Sequence, residues 1–133
     1  MAGEPGGLLR GVDCIRLRVD DIESGLAFYR DKLGHQLVWR TATAAGLKMP
    51  DTSAEVVLYT EGPDEPLDIK VRSADRAAEA FTQAGGAIAV QPFAIAIGRC
   101  VVVRDPWGNE LVLLDDSQGQ LVTDGEGNVT GVG

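Results

Sequence analysis

The sequence has few histidine and cysteine side chains, no signal-peptide pattern and no long apolar run. It has one histidine and two cysteines, and the spacing of Cys14 and Cys100 matches neither a zinc knuckle nor a disulfide framework. The N-terminal stretch MAGEPGGLLRG lacks the basic start and apolar h-region of a signal peptide. No apolar run approaches the roughly 20 residues that span a bilayer, so we expect no membrane partner. We therefore expect reduced cysteines and a cytoplasmic protein.

Basic residues are also scarce. Twelve lysines and arginines stand against 20 aspartates and glutamates, which gives a formal net charge of -8. Nucleic-acid binding depends on clustered basic side chains, and the sequence has no such cluster. We therefore expect no nucleic-acid partner and interpret the negative charge as a source of solubility.

Two segments of the chain show the same order of elements. In the first, residues 12–19 alternate apolar and polar side chains, which predicts a strand. Residues 20–34 carry an apolar stripe and predict a helix, with Asp20 and Glu23 as its capping box and Gly34 as its stop. Three strand patterns follow, in HQLVWRT, GLKM and AEVVLYTEG. The stripe consists of Ile22, Leu26, Tyr29 and Leu33.

The second segment begins again with a strand. Residues 67–71 alternate like the first strand, and SADRAAEAFTQAGG predicts a helix with Ser73 as N-cap and Gly85 or Gly86 as stop. AIAVQP, GRCVVVRD and NELVLLD are the three strand patterns that follow. Matching landmarks lie 52 residues apart, which indicates an internal repeat. The matched pairs are Val19 with Val71, Tyr29 with Phe81, and Gly34 with Gly86.

The repeat divides the chain into three parts. Residues 1–11 are a flexible lead-in, and residues 12–115 form one domain made of repeat one (12–61) and repeat two (67–115). In the tail, 116–133, the strand patterns LVT and NVTGV flank the turn residues DGEG. This pattern favours a hairpin, with disorder as the open alternative.

Three stretches resemble a known family. CIRLRVDDIESGLAFYRDKLG, LDIKVRSADRAAEAFTQAGG and VVVRDPWGNELVLLD are similar to the vicinal oxygen chelate superfamily of glyoxalases, bleomycin resistance proteins and dioxygenases. The resemblance implies an α+β fold of two tandem βαβββ modules that form a curved mixed sheet around a cleft, with the helices outside. It also implies a homodimer. It does not fix the function, because this scaffold carries lyases, epimerases, oxygenases and plain binding proteins.

The resemblance also allows a test for a metal site. Metal-dependent members place one ligand at the start of the first strand and one in the last strand of each repeat. Of the four matching residues here, only the cysteine has a side chain that can bind a metal, and catalytic zinc needs about three protein ligands. We therefore expect no metal and no other cofactor. The four matching residues are Cys14, Val57, Pro66 and Val112.

A displaced metal site is the alternative. Strand alternation places Glu55 and Glu110 on the same faces as Val57 and Val112, and Asp68 on the same side as Pro66. Three carboxylates would suit Mg²⁺ or Mn²⁺. The favoured interpretation is that these carboxylates instead pair with basic residues. The expected basic partners are Arg16 and Lys70.

Alternation also predicts the residues that line the binding site. In this fold the apolar side of each first strand faces a helix, so the polar side faces the cleft. Whether Trp39 joins these residues as an aromatic wall is left open by so short a strand. Cys14 is interpreted as a buried, inert thiol, because no histidine is placed to activate it. The expected ligand-binding residues are Cys14, Arg16, Trp39, Glu55, Tyr59, Asp68, Lys70 and Glu110.

Three functions fit these residues. The first is a metal-free small-molecule binding protein of the bleomycin-resistance type, although an aromatic content of 5% offers few rings for stacking. The second is a glyoxalase-like or epimerase-like lyase or isomerase with Glu55 or Glu110 as general base, in which Arg16 or Lys70 would stabilise the enediolate. The third is a dimerisation module. We favour the first.

Overall fold

The computed structural model describes residues 5–62 and 64–133, so the first four residues of the predicted lead-in lie outside it. The chain divides into two compact units. The N-unit contains Asp13–Pro66 and Leu121–Gly131. The C-unit contains Leu67–Gln120, together with Val132–Gly133 and the N-terminal residues up to Val12.

Apart from the tail residues, the N-unit has four strands and one interrupted helix, in the order βαβββ. The strands lie side by side in the order β2, β3, β4, β1. β1 is parallel to β4, and the other two pairings are antiparallel. The elements are β1 (Gly11–Arg18), α1 (Ile22–Leu26), β2 (Leu37–Arg40), β3 (Ala44–Lys48) and β4 (Glu55–Tyr59).

The start of α1 corrects the sequence prediction by one residue. Asp21, not Asp20, is the N-cap, and its carboxylate accepts hydrogen bonds from the backbone N–H and the hydroxyl of Ser24. The capping box of Asp20 with Glu23 was therefore wrong. Glu23 instead forms an ion pair with Arg40 of β2. Two adjacent aspartates made either of them a suitable cap by sequence.

The helix also winds differently from the prediction. After Leu26 it continues as a π-helical segment, Ala27–Lys32, in which the N–H of Leu33 bonds to the carbonyl of Phe28 five residues back. This wider winding rotates the end of the predicted stripe out of the core. Ile22 and Leu26 are buried as expected, but Leu33 is 54% exposed.

Gly34 ends the helix as predicted. Its φ is +84°, a conformation that side chains rarely adopt. The core of the N-unit lies between α1 and one face of the strands, where Gly25 allows α1 to approach Leu58 closely. The buried core residues are Ile22, Leu26, Ala45, Leu47, Val56 and Leu58.

The C-unit repeats the same order of elements. Its strands lie in the order β5, β8, β7, β6, with β5 parallel to β8 and the other pairings antiparallel. Ser73 caps α2 by accepting from the N–H of Arg76, and Gly85 follows its end with a φ of +110°. The elements are β5 (Leu67–Lys70), α2 (Ala74–Gln83), β6 (Ala87–Ile95), β7 (Gly98–Arg104) and β8 (Glu110–Leu114).

The core of the C-unit lies between α2 and the strands. Alanines on α2 let the helix sit close to its strands, and valine and leucine side chains fill the space between them. The buried core residues are Val71, Ala74, Ala77, Ala78, Val101, Val103 and Leu113.

The predicted fold class is confirmed. The chain is α+β and contains two βαβββ modules. The tail forms a hairpin of β9 (Leu121–Thr123) and β10 (Val129–Val132). Among the described residues, no helix has the length and apolar character needed to cross a bilayer.

Candidate functional site

The candidate site in the N-unit is the strand face opposite α1, which we call the polar face. Val56 and Leu58 of β4 pack toward α1, so the residues that alternate with them point the other way. Parallel pairing of β1 with β4 places their residues side by side on this face. The pairs are Cys14 with Glu55, Arg16 with Val57, and Arg18 with Tyr59.

Trp39 joins the polar face. Its indole Nε1 donates a hydrogen bond of 2.7 Å to Oε1 of Glu55. The indole lies over Gly46 of β3, where an added Cβ would stand only 2.0 Å from Nε1. The residue opposite Trp39 must therefore be glycine, because the indole occupies the space of a side chain at position 46. In this position the ring lies beside Glu55. Trp39 and Glu55 therefore lie on one face of the strands.

Two arginines lie against the ring of Tyr59 at the other end of the polar face. The guanidinium carbon of Arg16 stands 4.0 Å from the centre of the Tyr59 ring, and that of Arg18 stands 4.8 Å from it. Such stacking favours a cation over the electron-rich face of the ring. Tyr59 itself is buried, so the ring is held in place by strand packing as well as by the arginines.

Asp64 completes this group. It accepts a hydrogen bond of 2.8 Å from the Tyr59 hydroxyl and one of 2.9 Å from Nε of Arg18. The bond to Asp64 raises the pKa of Tyr59, and the bonds from Tyr59 and Arg18 lower the pKa of Asp64. Sequence alternation predicted Tyr59 but missed Asp64, because Asp64 lies in the irregular segment after β4.

The two arginines also hold the segment that follows β4. Arg18 donates to the carbonyls of Thr60 at 2.9 Å and Gly62 at 2.7 Å. The side chain of Arg16 donates to the carbonyl of Glu65 at 3.3 Å. These bonds fix the backbone at the edge of the polar face, so the position of Asp64 depends on β1 as well as on its own loop.

The predicted residues of the C-unit share a strand face as well. Asp68 lies beside Val112, and Lys70 lies beside Leu114, in the parallel pairing of β5 with β8. Glu110 forms an ion pair of 2.6 Å with Arg104, its neighbour on β7. The expectation that Glu110 would pair with Arg16 or Lys70 was therefore wrong. Arg104 is directly opposite Glu110 across the hairpin, a partner that the repeat offset did not reveal.

Sequence reasoning missed the most buried carboxylate of the described chain. Asp115 is 3% exposed and accepts four hydrogen bonds. The N–H groups of Ala74, at the start of α2, and Arg99, at the start of β7, donate one each, and Ser117 donates two. Burial by itself would raise the pKa of Asp115, but the bonds from Ala74, Ser117 and Arg99 outweigh it and lower the pKa. No sequence pattern distinguishes this aspartate from the exposed Asp116 beside it.

Both cysteines are free and buried. Burial, together with the negative charges of Asp68 and Asp115, raises the pKa of Cys100 to about 11. A thiol with so high a pKa is protonated at neutral pH and is a poor nucleophile. Cys14 is 3% exposed, as expected for a structural cysteine.

The sequence of this chain matches one family model over most of its length. Residues 11–113 match the model of the Glyoxalase/Bleomycin resistance protein/Dioxygenase superfamily. The chain belongs to this superfamily. The match confirms the resemblance seen in the sequence motifs. No curated protein matches the sequence.

Solved structures of superfamily enzymes show the same fold. Methylmalonyl-CoA epimerase from Mycobacterium tuberculosis is 18% identical, with a TM-score of 0.69 over 86% of this chain and 92% of the epimerase. The Mn(II)-bound glyoxalase from Novosphingobium aromaticivorans is 23% identical, with a TM-score of 0.56 over 83% of this chain and 40% of the glyoxalase. At these identities the likeness extends to the fold alone.

A superfamily dioxygenase gives a third comparison. Homoprotocatechuate 2,3-dioxygenase from Brevibacterium fuscum, in complex with 3,4-dihydroxyphenylacetate, is 20% identical. Its TM-score is 0.59 over 81% of this chain and 37% of the dioxygenase. The present chain therefore corresponds to a part of that larger enzyme.

The residues at the superfamily's metal positions do not fit a metal. Val57 lies in the middle of β4 and Val112 in the middle of β8, and neither has a donor atom. Pro66 precedes β5, and its carbonyl accepts from the N–H of Arg16 at 2.8 Å. Of the four positions, Cys14 alone offers a ligand. Taken by themselves, these four positions fall short of the three protein ligands that a catalytic metal needs, and we derive no step through a metal at them.

Proposed function

We propose that this chain is a metal-free small-molecule binding protein of its superfamily, with its ligand on the polar face of the N-unit. The observation that carries the proposal is the pair of fixed aromatic residues on this face. Trp39 is held by Glu55 and Gly46, and Tyr59 by two arginines and Asp64. Rigid aromatic surfaces with a few oriented polar groups are typical of small-molecule sites.

The charges on this face indicate the class of ligand. Arg16 and Arg18 bring two positive charges to the Tyr59 end, where Asp64 forms an ion pair with Arg18. The Trp39 end carries the carboxylate of Glu55. Because Tyr59 is buried, an aromatic compound with an acidic group would place its ring near the indole of Trp39 and its acid toward the arginines.

The metal positions support binding without an ion. Valine at positions 57 and 112 makes the middle of each strand face apolar where metal-dependent relatives carry ligands. Apolar surface at these places favours contact with carbon atoms of a ligand. We therefore propose no cofactor.

Trp39 provides a direct measure of binding. The variant Trp107→Phe removes the other tryptophan, which is 84% exposed at a turn, and leaves Trp39 as the single tryptophan, whose fluorescence can be excited apart from that of the two tyrosines. This variant would be titrated with 3,4-dihydroxyphenylacetate and with methylmalonyl-CoA, each in the presence of EDTA. We expect a saturable change with the aromatic acid. Binding that appears only when Mn²⁺ is added would contradict the proposal.

Two variants of the same protein check the location of the ligand. Arg16→Gln removes a positive charge from the polar face, and Arg76→Gln removes one from the exposed side of α2. We expect Arg16→Gln to weaken binding of the aromatic acid by about tenfold or more, because an ion pair with a carboxylate is lost. Arg76→Gln should bind as tightly as the parent.

The enzyme alternative has its own readout. A lyase or isomerase with Glu55 or Glu110 as general base would exchange the α-proton of methylmalonyl-CoA with D₂O. Glu110 is exposed and ion-paired with Arg104, which leaves Glu55 as the better candidate. If the parent exchanges this α-proton and Glu55→Gln does not, the chain is an enzyme with Glu55 as its base, and the binding proposal is wrong.

The proposal includes a homodimer and a cytoplasmic location. Both are expectations from the sequence, and the homodimer comes from the family resemblance. Light scattering during gel filtration gives the mass of the particle, and we expect twice the 14.0 kDa of one chain. Microscopy of a tagged chain in its own cell checks the location.

A further inference from the structure

The tail hairpin contacts the outer edge of the N-unit. The backbone N–H of Arg40, at the end of β2, donates to the carbonyl of Gly127 at 2.8 Å, and Arg40 pairs with Asn128 in a parallel bridge. Gly127 lies against Leu37, since a Cβ added there would stand 3.2 Å from Cδ2 of Leu37. β2 is the last strand in its set, so these contacts fall where a further strand would pair.

The turn that makes this contact is built twice in the chain. Asp124 accepts from the N–H groups of Glu126 at 2.8 Å and Asn128 at 3.0 Å, and its other oxygen accepts from Nδ2 of Asn128 at 3.1 Å. Asp105 makes the same three bonds to the turn Asp105–Asn109, at 2.9, 2.9 and 2.8 Å. Both turns read D-x-x-G-N.

The glycines of the two turns also match. Gly127 has a φ of +85° and Gly108 a φ of +89°. The difference is in their surroundings, because Gly127 lies against Leu37 whereas an added Cβ at Gly108 would meet nothing within 4 Å. The turn at Asp124 thus contacts β2. The turn at Asp105 has the same internal bonds, and its glycine has no such neighbour, so it serves as a control.

The equivalent edge strand of the C-unit is protected in another way. β6 ends its set of strands, contains Pro92 and has register shifts between Ile88 and Val90 and between Val90 and Phe93. Proline and bulges are common means of preventing an edge strand from pairing with another chain. β2 has a register shift of its own between Leu37 and Trp39 but no proline, and its outer edge is where the tail hairpin makes its contacts.

We propose that the tail hairpin covers the outer edge of β2, and that displacing the hairpin lets β2 pair with β2 of a second copy of the chain. The strand itself favours a second copy as the partner. Leu37, Val38 and Trp39 are uncharged, and the charge of Arg40 is paired with Glu23. In a chain of net charge -8, this is a segment where two copies meet without opposing carboxylates.

The test compares matched variants of the full chain. Asp124→Ala and Gly127→Val disturb the turn on β2, and Asp105→Ala and Gly108→Val disturb its twin. Circular dichroism first shows whether each variant keeps its fold. If one of the two tail variants does not fold, the other is used alone. Hydrogen exchange then measures the amide of Arg40, and sedimentation velocity measures the mass over a range of concentrations.

The expected result is specific to the tail. In Asp124→Ala and Gly127→Val, exchange at the Arg40 amide rises by about tenfold or more, and the mass rises with concentration above that of the parent. The variants at Asp105 and Gly108 behave like the parent in both respects. If exchange at the Arg40 amide is unchanged in the tail variants, the hairpin does not cover the edge of β2. If exchange is faster but the mass equals that of the parent at every concentration, β2 does not pair with β2 of a second copy.

Discussion

The indole Nε1 of Trp39 and the carboxylate of Glu55 lie 2.7 Å apart, joined by a hydrogen bond across β3. The bond crosses over Gly46, which has no side chain to separate the two residues. It fixes both an aromatic ring and a charge on the polar face of the N-unit. The proposed binding site depends on this arrangement.

Replacing Trp39 should therefore affect both stability and binding. Trp39→Phe keeps a ring over Gly46 but removes the donor to Glu55, and we expect the free energy of unfolding to fall by about 1–2 kcal/mol. Trp107→Phe is the control, because Trp107 is 84% exposed and should change stability by less than about 0.5 kcal/mol. Urea denaturation measures both. Equal stability of the two variants would mean that the bond to Glu55 contributes little.

Gly46→Ala should displace the indole. A Cβ at position 46 would stand 2.0 Å from Nε1 and 2.5 Å from Cε2 of Trp39, so the ring has to move. We expect a loss of about 1–3 kcal/mol and a red shift of Trp39 fluorescence as the ring gains water. Gly11→Ala is the matched control, since an added Cβ there meets nothing within 4 Å. An unshifted spectrum in the Trp107→Phe background would show that the indole does not rest on Gly46.

Asp115 should make a pH-dependent contribution to stability. Its pKa in the folded chain is below the ordinary value of 3.8, so the charged form stabilises the fold above about pH 4. This stabilisation is lost as the pH falls through the lowered pKa. Asp115→Asn would place an amide donor among four donors, and we expect a loss of about 1–3 kcal/mol at neutral pH.

The check is denaturation across a range of pH. The difference between the parent and Asp115→Asn should shrink as the pH falls below about 4. Asp116→Asn is the control, because the neighbouring Asp116 is exposed and accepts from the side chain of Gln120. A constant difference down to low pH would show that the charge of Asp115 does not contribute.

Cys100 should be unreactive while the chain is folded. Its pKa of about 11 leaves almost no thiolate at pH 8, and the side chain is buried. In the variant Cys14→Ser, Cys100 is the single thiol, and we expect Ellman's reagent to label it only after urea is added. Rapid labelling without urea would contradict the burial of this side chain.

Sequence patterns predicted the elements of the fold well because apolar periodicity and glycine stops determine them locally. The strand of residues 12–19 and the helix after Ser73 appear within one or two residues of their predicted limits. The cap of α1 was displaced by one residue because Asp20 and Asp21 are chemically equal. The exposure of Leu33 was missed because nothing in the sequence distinguishes π-helical from α-helical winding.

The candidate site was less predictable because it depends on contacts between strands. Alternation placed Glu55 and Tyr59 on one face but could not show that Trp39 bonds to Glu55, since that requires the register of β2 on β3. It also missed Asp64, which reaches Tyr59 from an irregular segment. The partner of Glu110 was missed for the same reason, since Arg104 is set opposite it by the β7–β8 pairing.

Because Val57, Pro66 and Val112 stand at the superfamily's metal positions, we propose that this chain binds its ligand without an ion. The most direct measurement is the metal content of the full chain after dialysis against excess Mn²⁺ and then against metal-free buffer, read by inductively coupled plasma mass spectrometry. We expect a metal content close to zero per chain, since Val57 and Val112 offer no donor. One tightly held ion per chain would contradict it.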